Sequence, residues 1–467
     1  MRLVSNNTAY EPRFPERDAA THPQGRSALD AEAVRNLKGR DNSTNWLHFT
    51  HLYAVIGLTI WAAISLNGWL TAAGYAWGWT IVVNIVAIIT LGAAQHQLGG
   101  AVHEGTHFLL FKNRLLNELA SDWLSAFPIY TSTYQFRIHH LAHHQFVNDP
   151  ERDPDIAQLK ESGHWLDFPI PSIELLWAFV KRLSPLRMLL FTVFRAKYSA
   201  VGFDGHAYLD PEEKSSKWPL RVGILYAVAV PIATAELIKF GHPDIGVAIL
   251  CFSTPAAILY LLLTPEKSFQ QTRLAPVISH RATMLSRVVY FAVLYGTLTA
   301  LTVSGIAPAW RWFTLYWVIP LFTSFPIYMM LRQWVQHGNA DRGRYTNTRV
   351  FLTGPLMRYA IFPWGMDYHL PHHLMASVPH YNLKRLHEHL MEDPTYREKG
   401  VVLDGLFFSS AEGPSILAAL GPAHAPGTEE RAYVDNTALE YAELRNAEGI
   451  AAEAARSEAA LLPRETN

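Results

Sequence analysis

With one cysteine, Cys251, the chain has no partner for an intramolecular disulfide and no cysteine-rich segment for an iron–sulfur cluster. Charge is scarce: Asp, Glu, Lys and Arg make up 17% of the 467 residues, against roughly 25% in soluble domains. Neither sign dominates, since the formal net charge is −1, and this balance gives no reason to expect a nucleic-acid partner. No apolar run follows Met1, so no secretory signal peptide is expected. There is no internal repeat and no haem-binding segment.

What the sequence does contain is apolar residues in long pieces. Six stretches, 46–66, 79–98, 222–238, 245–263, 288–306 and 312–331, each approach the ~20 residues a helix needs to cross a bilayer core. The 14 Trp, 20 Tyr and 23 Phe suit the membrane interface, where aromatic rings collect. Asn84 and Gln95 interrupt the second stretch, and Pro231 and Glu236 the third. Pro231 and Pro255 are expected to kink their helices, which membrane helices tolerate.

Charge placement orients the spans. If the first leaves the cytoplasm, the outer loops 67–78, 239–244 and 307–311 carry only Lys239 and Arg311. The amino-terminal segment alone carries seven cations, from Arg2 to Arg40, and the remaining inner loops carry Lys267, Arg273, Arg281, Arg287, Arg332, Arg342, Arg344 and Arg349. This is the positive-inside pattern, and it puts 99–217, 264–287 and everything after 331 on one, cytoplasmic, face. Within the first of these, 173–198 mixes apolar residues with Lys181, Arg182, Arg187 and Arg195, as in a helix lying in the interface. The expected domains are a polar amino-terminal tail (1–45), a membrane domain (46–400) and a polar, acidic carboxy-terminal tail (401–467), whose last part from Glu429 has nine acidic and four basic residues.

Histidine is unusually frequent, with 22 in the chain. Three clusters stand out: His103-Glu104-Gly-Thr-His107, His139-His140-Leu-Ala-His143-His144 and His369-Leu-Pro371-His372-His373; a separate His337 follows the last apolar stretch. Helical residues three or four apart share a face, so His103 is expected to point with His107, His140 with His143 and His144, and His369 with His372. Pro371 fits the first turn of the last of these helices, with Asp367 as its cap. Imidazole suits iron, zinc, copper and nickel. Nine such residues exceed the four ligands of a tetrahedral zinc site and match two ions with open positions. A rival reading takes His103-Glu104-x-x-His107 as the HExxH of an intramembrane zinc metalloprotease with Glu104 as base, but it leaves six histidines without a role.

In order and spacing the three boxes, with a long apolar insertion between the second and third, resemble the HxxxH, HxxHH and HxxHH of the membrane fatty acid desaturase/hydroxylase family. The likeness runs from about Leu91 to Leu390, and the flanks 107–117, 144–154, 381–387 and Asn347-Thr348-Arg349 resemble a bacterial branch of it. The resemblance implies an all-α integral membrane helical bundle of four to six transmembrane helices, with a cytosolic helical cap holding two non-haem irons. Carried over by position, the metal ligands would be His103, His107, His140, His143, His144, His337, His369, His372 and His373, with His139 as an alternative to His140. Gln333, four residues before His337, would sit near the metal. Two departures from the family pattern are Gln336 and Pro371, where relatives often carry Glu; Asp149, Asp153, Asp155 and Asp367 are the carboxylates left to orient ligand imidazoles.

The implied reaction is O2-dependent introduction of a double bond into an acyl chain or similar aliphatic substrate, with a hydroxylase acting on a lipid or small metabolite as the alternative. The electrons would come from a ferredoxin or cytochrome b5-like donor with its reductase. Arg342, Arg344 and Arg349 are candidates to dock such an acidic carrier, although membrane topology alone also accounts for them. The expected location is the bacterial inner membrane, with the active site and both termini cytoplasmic.

Overall fold

The computed structural model describes residues 31–424, apart from 202–207, 209–214, 271, 273, 411 and 412. Six helices are long and apolar enough to cross a bilayer: Thr44–Ala72, Gly78–Thr106, Trp218–Lys239, Pro243–Leu263, His280–Val303 and Ala309–His337. They are apolar nearly all round, and Trp61, Phe252, Leu263 and Val293 stand exposed on their outer faces, as lipid-facing side chains do. The chain is an integral membrane protein with an all-helical bundle. Among the described residues the only strands are Val350–Leu352 and Val402–Asp404, paired in parallel.

Every apolar stretch expected from the sequence is a span, but two continue further. The second runs without a break past Leu98 to Thr106, and the sixth past Leu331 to His337. Both therefore carry histidines on their own last turns rather than beyond their ends. The first and second spans pack through Leu52, Ile56, Ala87, Leu91 and Leu98. The third, fourth and fifth form a second group around Tyr226, Leu250, Leu261, Phe291 and Tyr295. The sixth joins both groups, giving Tyr316 to one and Trp310 to the other. Pro231 cannot donate to the carbonyl of Ala227, and the Tyr295 hydroxyl donates to that oxygen instead at 2.7 Å.

Three expectations need correction. The interfacial segment is two helices, Ser172–Arg182 and Pro185–Ala196, because Pro185 can begin a helix but not continue one. Residues 31–43 are not a free tail: Leu37 is buried with Leu383 and Leu386, and its carbonyl accepts from Asn382 Nδ2 at 2.8 Å. Nor does the fold stop at 400, since Leu403, Ile416, Ala419 and Leu420 are buried in the core that holds Trp334 and Phe351. A few apolar side chains in polar surroundings fix both segments. The rest of the two expected tails lies outside the described residues.

Candidate metal centre

Two buried arginines set the ends of the histidine-bearing spans. A helix leaves its last carbonyls without intrahelical partners. At the end of the second span these are Gly105 and Thr106, and Arg137 donates to both (2.9 and 2.8 Å) while pairing with Glu118. Arg137 belongs to the helix Thr133–Gln145, capped by Ser132, so the same contact docks the second box onto the first. Gly105 is needed there, because a Cβ would lie 2.2 Å from Ser121 Oγ. At the end of the sixth span Arg349 does the equivalent, donating to the carbonyls of Val335 (2.8 Å) and Gly338.

The nine histidines proposed from sequence converge into two buried clusters. His103, His107, His140, His144 and His372 form one, and His143, His337, His369 and His373 the other; within each, one ring nitrogen per residue lies within 4.8 Å of the rest. The two meet where the rings of His144 and His373 stack, 4.3 Å between centroids. Sequence spacing had grouped His143 with His140 and His144, and His372 with His369. The structure splits both sets, because four residues rotate a helical side chain by about 40° from its starting direction, whereas three rotate it by about 60° the other way. The i,i+4 pairs stay together and their i+3 neighbours go to the other cluster.

The nitrogen spacings identify what the clusters can hold. His144 Nε2 lies 3.0 Å from His140 Nε2 and 3.1 Å from His372 Nε2. His369 Nε2 lies 3.1 Å from both His337 Nε2 and His373 Nε2. A ring nitrogen offers one in-plane proton or one lone pair, so it cannot make two such hydrogen bonds. A shared cation removes the contradiction. Imidazole nitrogens about 2.1 Å from a divalent ion would be about 3.0 Å apart at a right angle and about 3.4 Å apart at a tetrahedral angle. The observed contacts match the right angle of an octahedral or square-planar ion rather than the tetrahedral angle of a structural zinc site.

The surroundings keep these rings neutral and aimed. Burial first, then neighbouring imidazoles or Arg137, lowers the pKa of His107, His140, His144, His369, His372 and His373 well below the usual value. Burial also pulls His143 down, but Asp153 outweighs it and the net shift is upward. The Asp153 carboxylate lies 3.0 and 3.1 Å from His143 Nδ1, which puts the proton there and leaves Nε2 for an ion. His337 Nδ1 faces the carbonyl of Asn347 at 3.2 Å. The Phe136 ring lies parallel to His140, 5.6 Å away.

Other sequence candidates fall outside the clusters. His139 lies in neither; its Nε2 meets Asp155 Oδ1 at 2.8 Å. Burial pushes the Asp155 carboxyl up, but Arg195 and His139 hold it well below the ordinary range. Arg195, read from sequence as an interfacial cation, is thus a buried partner of Asp155. Asp149 pairs with Arg152 and Arg342. Asp367 pairs with Arg358 and does not cap the third-box helix, whose cap position is Tyr368. Gln333 donates weakly to Gln158 (3.4 Å), and Gln336 to the carbonyl of Met366 (3.0 Å). Arg349 is buried at the helix end and is no docking residue, while Arg344 stays exposed. Glu104 is buried, with Oε2 accepting from the backbone N–H of His380 at 3.0 Å and Oε1 3.4 Å from His103 Nδ1. Arg137 and Phe136 had no signal in the sequence, and Asn347 stood out only as part of a resembling motif, because their roles depend on contacts between distant segments.

Beside the first cluster lies a cavity of about 760 Å³, bounded by the third and sixth spans and by the helix Pro185–Ala196; its wall includes Val102, Phe136 and Met329. The model of the family described as Fatty acid desaturase matches residues 77–264 and 206–404. The chain belongs to the fatty acid desaturase family. It is similar to the dihydrorhizobitoxine desaturase of Bradyrhizobium elkanii, 21% identical over 387 residues that cover 81% of this chain and 85% of that protein. A shorter stretch of 68 residues is 40% identical to a Delta(5) fatty acid desaturase of Caenorhabditis elegans, covering 15% of each chain. Membership of the desaturase family makes this protein an oxidoreductase acting on aliphatic substrates, and it removes the zinc-protease reading. In this family the two histidine clusters imply iron and O2.

Proposed function

We propose that the chain is a membrane di-iron oxidase that introduces a double bond into an aliphatic substrate, with one iron in each histidine cluster. The observation that carries this reading is the pair of doubly contacted nitrogens, His144 Nε2 and His369 Nε2. When bound, the irons would use one O2, two electrons and two protons to take two hydrogens from adjacent carbons, releasing two waters.

The residues have separate tasks. His103, His107, His140, His144 and His372 hold one ion, and His143, His337, His369 and His373 the other. Asp153 fixes the ring of His143. Arg137 and Arg349 hold the span ends so that His103, His107 and His337 reach the centre. The apolar wall at Val102, Phe136 and Met329 admits a hydrocarbon segment and keeps bulk water away. Neither cluster contains a carboxylate, so neutral ligands leave the charge of the ions uncompensated. One relative is named for dihydrorhizobitoxine and another for a fatty acid, and both kinds of aliphatic substrate fall within this proposal.

The electrons would arrive from a ferredoxin or cytochrome b5-like protein at the histidine-bearing face. That face is proposed to be cytoplasmic, in a bacterial inner membrane, on the Lys/Arg distribution. Two measurements test the reading. The purified protein should hold two irons per chain. Replacing His107, His144 or His372 with Ala should abolish activity and lower bound iron, and His242→Ala should do neither. Retained activity in two of the three would refute the assignment. Expression in membranes with a reductase system should give a product lighter by two hydrogens. A product heavier by one oxygen would make the enzyme a hydroxylase.

A further inference from the structure

The cavity beside the histidines has an apolar wall and an asymmetric end. Its lining on the sixth span follows one helical face, through Trp310, Phe313, Leu321, Phe325, Met329 and Arg332. From Trp310 to Arg332 this is about 33 Å at 1.5 Å per residue. Hydrocarbon side chains make up most of that length, and the cation stands at the end next to the histidine-bearing turn.

Cations in a membrane span are costly and normally paired, so an unpaired one marks a ligand path. The other cations of this wall are engaged. Arg195 pairs with Asp155, Lys197 with Glu161, and Arg287 donates to the carbonyl of Tyr130 at 2.8 Å. His96 Nδ1 faces the carbonyl of Ala360 at 2.8 Å and so carries the ring proton, leaving Nε2 as an acceptor. Arg332 has no hydrogen bond or ion pair among the described residues, and its Nε is buried without a partner. It is therefore the one free charged donor, among the described residues, in the cavity wall.

We propose that Arg332 binds the carboxylate of the substrate, and that the enzyme takes a free aliphatic acid inserted acid end first from the membrane side of the cavity. A guanidinium matches a carboxylate with two parallel hydrogen bonds. An acyl group esterified to a carrier or lipid would bring no charge to this point. Arg332 lies five residues before His337, about 7.5 Å along the helix axis. The carbons presented to the histidines are accordingly those nearest the acid group, not the middle of a chain. This inference rests on the proposed oxidase reading for the identity of the reaction, but its test does not need the reaction.

The test uses the full chain, metal-free, in lipid nanodiscs at pH 8, with dodecanoate and dodecan-1-ol as probes. Wild-type protein should bind the acid at least tenfold more tightly than the alcohol. Arg332→Gln should erase that preference while leaving alcohol binding unchanged. Arg332→Lys, which keeps the charge but not the paired hydrogen bonds, should lower the preference several-fold, and it decides the matter should the Gln variant fail to fold. Equal binding of acid and alcohol by the wild type, or a preference unchanged in either variant, overturns the proposal. A protein that binds dodecanoate through Arg332 in this test yet takes up no iron when loaded with ferrous ion would instead refute the oxidase reading alone.

Discussion

Replacing Asp153 with Asn isolates one ion of the proposed pair. The carboxylate of Asp153 serves three donors: His143 Nδ1 at 3.0 and 3.1 Å, the backbone N–H of Asp155 at 2.9 Å and that of Asn148 at 2.9 Å. Asparagine keeps one oxygen and turns the other acceptor into a donor. It caps the helix Pro154–Glu161 about as well as aspartate, so its oxygen should stay on the backbone N–H of Asp155, its amide nitrogen should take the place of the Oδ2 that now accepts from Asn148, and His143 should lose the charged carboxylate as its partner. Loss of such an outer partner typically costs 10–100-fold in metal affinity, or about 1.4–2.7 kcal/mol. Only the cluster of His143, His337, His369 and His373 should feel it. Anaerobic titration of metal-free protein with ferrous iron against a chelator should then show one site weakened within that range and one site unchanged. Loss of both ions together, or wild-type affinity at both with a folded variant, would refute the division into two clusters.

Two further outcomes concern the scaffold. Gly92→Ala would put a Cβ 2.0 Å from Ser324 Oγ and 2.7 Å from the backbone nitrogen of Phe325, forcing the second and sixth spans apart at about 1–3 kcal/mol. Its melting temperature in detergent should fall, whereas Gly57→Ala, with nothing within 4 Å, should melt as the wild type. The second outcome is a pH dependence. The lowered folded-state pKa values of His107, His140, His144, His369, His372 and His373 mean that the unfolded chain binds more protons below pH ~6.5. Each ring then removes up to about 1.4 kcal/mol per pH unit, and His143 alone, shifted upward, works in the opposite direction. Metal-free protein should therefore melt lower at pH 5.5 than at pH 7.5; an unchanged or higher melting temperature at the acid pH contradicts the burial of these rings in neutral form.

Much of this site was visible in the chain itself, and the failures are informative. The i,i+4 pairs His103/His107 and His140/His144 were correctly seen as sharing a face, whereas the pair His369/His373 was not singled out. The i+3 partners His143 and His372 were assigned to the wrong set, because sequence spacing gives a direction only to within the width of a helical face. Asp153 and Asp155 were among four candidate carboxylates, but only a folded loop could show that Asp153 meets His143 while Asp155 meets His139 and Arg195. The boundaries at 45 and 400 fell short because single buried residues such as Leu37 and Leu403 leave no periodic pattern.

The sequence alone determined that six stretches are long and apolar enough to cross a membrane, since that capacity depends on run length and on the cost of an unsatisfied backbone in lipid. It also determined that nine histidines stand at one face, since helix ends and Lys/Arg counts are local quantities. Only the tertiary structure decided that sequence neighbours His143 and His144, like His372 and His373, belong to different clusters. Adjacent residues on a helix point about 100° apart, and which ring meets which depends on how three remote segments are docked. The same docking leaves Arg332 without a partner among the described residues, beside an apolar cavity, a fact about what surrounds a residue that no reading of its neighbours in the chain can supply.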